Sequence, residues 1–153
     1  MRKIKTGVRY LNVNYNWNEQ KRTVACHLTW GINLDRIPFG DMIIYSNRFE
    51  TLLNDFRLEE WENEDTGEVN VYAVSEVTGL AYCDPEDTFD LDLGKKIALT
   101  RAQECAFAGA DYFWNYCEDI MLEAASRYGS ISENCLESRY KCRMHIAKLT
   151  DSK

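Results

Sequence analysis

Cys135, Cys142 and His145 have the types and spacing in this chain that come nearest to a metal site. Thiolate and imidazole are the ligands zinc prefers, and residues three apart on a helix are neighbours, so Cys142 and His145 can share one ion. Cys135 lies seven residues before Cys142, about 10 Å along a straight helix, so it joins them only if the helix begins after it. A fourth ligand must come from elsewhere, with Cys117 or Cys105 as the donors. Such a site would be closed and structural. The competing reading makes these cysteines small core residues on an amphipathic face, as free cysteine commonly is.

Catalytic signatures are missing from the 153 residues. There is no phosphate-cradling Gly-rich loop, no dinucleotide fingerprint, no nucleophile elbow and no His-Glu-x-x-His. Only His27 and His145 are available as imidazole bases, and His27 next to Cys26 on a strand points to the opposite face. The expectation is a binding protein and not an enzyme.

Charge supplies the second constellation. The net charge is −7, yet residues 41–93 hold fifteen acidic and two basic residues, whereas residues 1–40 hold seven basic and two acidic. Glu60, Glu62, Glu64, Asp65 and Glu68, with Trp61 among them, make a carboxylate-rich stretch. On a strand, Glu60, Glu62 and Glu64 would share one face, with Glu59 and Trp61 on the other. A row of carboxylates can imitate nucleic-acid phosphates and attract a Lys/Arg groove, or it can simply solvate an edge strand. The implied partner is a protein with a basic surface; direct nucleic-acid binding is not expected. A second acidic run, Asp84 to Asp92, could hold a hard cation in a metal-dependent enzyme, but it lacks an EF-hand's glycine and terminal glutamate. Acids are also favoured at a helix start, where Asp90 can cap.

Behind these residues stand the elements that must position them. Residues 7–17 and 22–30 alternate strand-forming and polar residues around a polar turn, which predicts an antiparallel hairpin. Residues 57–63 and 69–75 predict another, and Val77-Thr78-Gly79 reads as a turn into a short strand, Leu80–Cys83. Residues 41–56 fit either a strand at Met42–Tyr45 or a helix with Phe49, Leu52, Leu53 and Phe56 inward. Pro38-Phe39-Gly40 punctuates the approach to them.

Helices are expected thereafter. The first follows Asp90, with Leu93, Ile97, Ala98 and Cys105 on one face. The second, about 111–128, carries Phe113, Cys117, Ile120, Met121 and Ala124, and Gly129 reads as its stop. Ser130-Ile131-Ser132-Glu133 has capping-box spacing, and the third helix would face Ile131, Cys135, Cys142, Ile146 and Leu149 inward. In the cluster Tyr112-Phe113-Trp114-Tyr116, Trp114 points away from the stripe and reads as an interface anchor. The fold class is therefore α+β: an antiparallel sheet from the N-terminal half packed against about three C-terminal helices, in one domain over residues 1–153. The basic N-terminus does not read as a signal peptide, and no apolar run is long enough for a membrane. The expected setting is reducing and cytoplasmic, with free thiols.

Residues 78–106 resemble a segment of small accessory proteins from phages and mobile elements of Gram-positive bacteria. The shared form is a strand ending in Cys-x-Pro-Glu/Asp-Asp, then Phe-Asp, then a helix with Gly and Ala-x-x-Arg-Ala. Cys83, Pro85, Asp87, Phe89, Asp90, Gly94, Ala98, Arg101 and Ala102 carry it. It looks like a folding corner, in which Pro85 fixes the turn, Phe89 buries and Asp90 caps. The resemblance implies an inhibitor of host defence, with anti-CRISPR inhibitors of Cas9-type nucleases the sharpest case, acting in the cytoplasm of a bacterial host. The alternatives are a self-associating structural or regulatory phage protein and a metal-dependent enzyme. The cofactor expectation is a structural zinc or none.

Overall fold

A long strand crossed by a helix of small residues organises the first part of the chain. The computed structural model describes residues 5–38 and 40–151, apart from the side chain of Met42. The chain gathers into two compact units, residues 1–117 and 118–153, each described by itself.

In the first unit, β1 (Val8–Asn18), β2 (Thr23–Asn33), β3 (Arg57–Glu62) and β4 (Val69–Tyr82) form one antiparallel sheet in the order β1-β2-β4-β3. Both expected hairpins are present, because alternation commits each strand to one buried face. A register shift between Tyr10 and Asn12 keeps Val13, Tyr15 and Trp17 opposite Leu28, Cys26 and Val24. On β2, Val24, Cys26, Leu28, Trp30 and Ile32 are buried at alternate positions.

That face meets the start of α3 (Leu91–Asp151), whose inward residues here are Ala98, Ala102, Ala106, Ala110, Phe113 and Cys117. Alanine every fourth residue lets the helix lie close on the sheet. Gly79 marks the closest approach: a Cβ there would stand 1.9 Å from the Ala98 carbonyl oxygen and 2.5 Å from the Ala102 nitrogen. The glycine read as a turn is therefore the seat of the helix, and Leu80–Cys83 is no separate strand but, as far as Tyr82, the end of β4. Leu93, Ile97 and Cys105, expected inward, are exposed, since the small residues occupy the contact face.

The ambiguous segment is helical: α1 (Gly40–Ile44) and α2 (Asn47–Leu53), the latter capped by Ser46, whose side chain accepts from the Arg48 N–H. Phe49 and Leu52 are buried, and edge-to-face rings join Phe49 to Phe113, Phe113 to Phe56, and Phe56 to Trp30. Each such ring pair adds about 0.5–1.5 kcal/mol beyond its burial. Phe39 lies outside the described residues. Trp114 is not a free anchor: its Nε1 donates to the Thr6 carbonyl at 2.8 Å.

The three C-terminal helices expected are one. α3 runs unbroken through Gly129, and Ser130-Ile131-Ser132-Glu133 caps nothing because it lies inside the helix. Ending there would call for the left-handed backbone that glycine supplies at a helix stop, and the described glycines with positive φ are Gly7 and Gly67. Helix-forming neighbours outweigh the roughly 1 kcal/mol that one glycine costs. In the second unit, ion pairs Glu123–Arg127 (2.9 Å) and Glu137–Lys141 (2.7 Å) add support four residues apart.

Candidate protein-docking site

The β3–β4 hairpin carries the acidic stretch at a sheet edge. Among the described residues strand β3 pairs with β4 alone, so its outer backbone groups face away from the sheet. Glu60 and Glu62 are exposed on one face with Leu58, across from Val71, Val69 and Ala73. Leu58 and Val69 are themselves 55% and 56% exposed, an apolar border that charge counting missed. Leu58 shares the period-two spacing of Glu60 and Glu62, and that was the signal that could have shown it.

Glu59 and Trp61 point the other way. The Trp61 indole donates to Glu59 at 3.0 Å, and Arg57 donates to Glu59 at 3.1 Å and to Glu76 at 2.8 Å. Those two carboxylates, Glu76 foremost, hold the Arg57 guanidinium above its ordinary pKa. Trp61 is thus half-buried and occupied, on the face opposite Glu60 and Glu62.

Glu64 does not share the strand face expected for it. β3 ends at Glu62, and Glu64, Asp65 and Glu68 sit in the turn of residues 63–68. Asn63 builds this turn: its N–H donates to the Glu68 carbonyl at 2.8 Å, its carbonyl accepts from Gly67 at 2.7 Å, and its side chain accepts from Asp65 N–H at 2.9 Å. Gly67 sits at φ +67°, a conformation that favours glycine. Glu68 makes a loose, exposed pair with Arg36 at 3.9 Å. The arrangement is therefore two strand carboxylates continued by three on the turn, able to meet a basic surface electrostatically.

In the second acidic run, Asp84 and Asp90 serve the fold. The Asp84 side chain accepts from Glu86 N–H at 3.0 Å, and Asp90 caps α3 by accepting from Leu93 N–H at 3.0 Å. Arg22, 62 residues from Asp84 in sequence, donates to the Asp84 carbonyl at 2.7 Å, to the Cys83 sulfur at 3.3 Å and to the Asp87 carbonyl. Phe89 is half-buried beside a cleft of about 460 Å³ that Arg22, Cys83 and Asp87 also line.

The cysteines divide sharply. Cys117 is buried in the first unit, and burial pushes its thiol up to about 11. Cys135, Cys142 and His145 are exposed in the second. The helix does not begin after Cys135, so Cys135 and Cys142 remain about two turns apart. Among the described residues, no three His, Cys, Asp or Glu side chains converge in a way that could hold a metal.

No protein-family model, curated protein or solved structure matches the chain. Among the described residues, no helix is long and apolar enough to cross a membrane.

Proposed function

We propose that this protein is a binding protein of phage type that inhibits a bacterial nucleic-acid-guided defence nuclease, of the Cas9 kind, by occupying a basic nucleic-acid-binding surface. The observation that carries the reading is the edge hairpin, where Glu60, Glu62, Glu64, Asp65 and Glu68 are all exposed. Arg57 and Arg36, basic groups near it, already face carboxylates. Clustered charge of one sign steers association with a surface of the other sign, and it competes there with phosphates. Glu60 and Glu62 supply the ordered row and the turn acids extend it, while Leu58 and Val69 give an apolar border to bury on contact. Trp61, on the opposite face, donates to Glu59. The action is competition for nucleic-acid loading, without chemistry on the target. Affinity for a Cas9-type nuclease measured against salt tests this.

A further inference from the structure

The two outer strands of the sheet are guarded very differently. Among the described residues, β1 and β3 are its edges, each pairing with one neighbour. β3 carries Arg57, Glu59, Glu60 and Glu62, and charge on an edge strand discourages further pairing. β1 is longer, yet residues 10–18 include no charged residue, proline or glycine. Its register shift, between Tyr10 and Asn12, leaves residues 12–18 in regular alternation. Such an edge presents a row of unpaired N–H and C=O groups to which another strand can add.

We propose that the β1 edges of two copies of this chain pair antiparallel about Tyr15, joining the two four-stranded sheets into one. The side chains select a second copy as the occupant. On one face Asn12, Asn14 and Asn16 are exposed, and among the described residues their amides have no hydrogen-bond partner. An amide both donates and accepts, so a row of asparagines is complementary to the same row running the other way. On the other face Val13 and Trp17 are 38% and 45% exposed beside half-buried Tyr15. Lys95 of α3 lies over both rings, 5.5 Å from Tyr15 and 4.7 Å from Trp17, so each cation is held by its own copy's aromatics. Exposed apolar side chains and an unpaired backbone edge thus coincide on one strand, which carries no charge along this stretch to repel its like.

The pattern also fixes the register. Directly opposite residues share a face in an antiparallel pair, so this centre sets Tyr15 against Tyr15, Val13 against Trp17 and Asn14 against Asn16 of the second copy. A centre at Asn14 would put Trp17 against Leu11, which the register shift takes out of alternation. A centre at Asn16 would put Val13 against Glu19 in the turn. A twofold axis at Tyr15 presents the same edge on both sides and closes the dimer. β1 and β3 are opposite edges, so the acidic hairpin stays free and either proposal can fail without the other.

The test uses the full chain, kept reduced with a phosphine so that its six cysteines form no cross-links. Sedimentation equilibrium of the parent should show a reversible dimer, since a dimer of micromolar Kd is largely paired at about 0.1 mM. Asn14→Lys with Asn16→Lys sets like charges against each other twice across the axis and should weaken dimerisation at least about tenfold with helix content unchanged. Asn14→Lys with Asn16→Asp sets opposite charges at the same two places and should return the affinity to within about threefold of the parent or better. Amide exchange in residues 12–18 should slow as concentration rises, while that in residues 57–62 stays constant. A parent still monomeric at about 0.1 mM, a first variant that dimerises like the parent, or exchange in residues 12–18 that ignores concentration would overturn the pairing. A second variant as weak as the first would overturn the antiparallel register.

Discussion

Replacing Gly79 by alanine should damage this protein far more than its single added methyl suggests. The new Cβ would stand 1.9 Å from the Ala98 carbonyl oxygen and 2.5 Å from the Ala102 nitrogen, both backbone atoms of α3. An ordinary approach needs about 3.4 Å or more, so the helix must lift by more than about 1 Å, and each gap of that size forfeits up to half of the dispersion attraction across it. Lifting would also loosen the helix from Val24 at Gly94 and from Trp30 at Gly109. Overpacking commonly costs about 1–3 kcal/mol, and two rigid backbone neighbours place Gly79→Ala at about 3 kcal/mol or above. For a chain of this length that lowers Tm by about 6–12 °C. Gly129→Ala is the control, because a Cβ there meets nothing within 4 Å and the residue lies inside α3. It should stabilise the helix by up to about 1 kcal/mol. Thermal and urea unfolding of the two variants would show opposite signs. A Gly79→Ala protein within about 0.5 kcal/mol of the parent would refute the close seating of helix on strand.

Arg22→Lys should destabilise the protein by about 1–2 kcal/mol, because one ammonium cannot replace a guanidinium that reaches the Asp84 and Asp87 carbonyls and the Cys83 sulfur together; urea unfolding that matches the parent would contradict this. The Cys117 thiol, raised by burial from 9.0 to about 11, gives a stability contribution with a definite sign. The folded state holds this proton more tightly, so the contribution is full below about pH 9 and is lost as pH rises through 11. Stability measured across that window should fall less steeply in Cys117→Ala than in the parent, and equal slopes would contradict the assignment.

What the sequence made legible was whatever is coded locally. Alternation in residues 7–17 and 69–75 was enough to place two hairpins, and Asp90 caps the helix that its neighbours propose. The carboxylates of Glu60 and Glu62 were on one face for the same period-two reason. Three kinds of information were not local. Gly79 resembled a turn because its neighbour is a helix about twenty residues further on, and only the fold shows that backbone approach. Gly129 and Ser130-x-x-Glu133 carry stop and start signals that the surrounding helix overrides, since one glycine's cost is small beside many helical residues. Arg22 locks the strand-to-helix corner from the far hairpin, a partnership no spacing rule reveals. Glu64 went astray by two residues, because the strand ends at Glu62 and Asn63 opens the turn.

The role of the acidic hairpin is tested most directly by the affinity of the full chain for a purified Cas9-type nuclease across a salt series, beside a variant with Glu60, Glu62, Glu64 and Glu68 changed to Gln and Asp65 to Asn. Exposed ion pairs are worth about 0.2–1 kcal/mol each, so the five changes together should weaken binding by about 2–3 kcal/mol, near a hundredfold in Kd. Parent binding should weaken steeply as salt rises, and the variant's should weaken much less. Binding that ignores salt, equal affinity of parent and variant, or no binding at all would contradict the proposal.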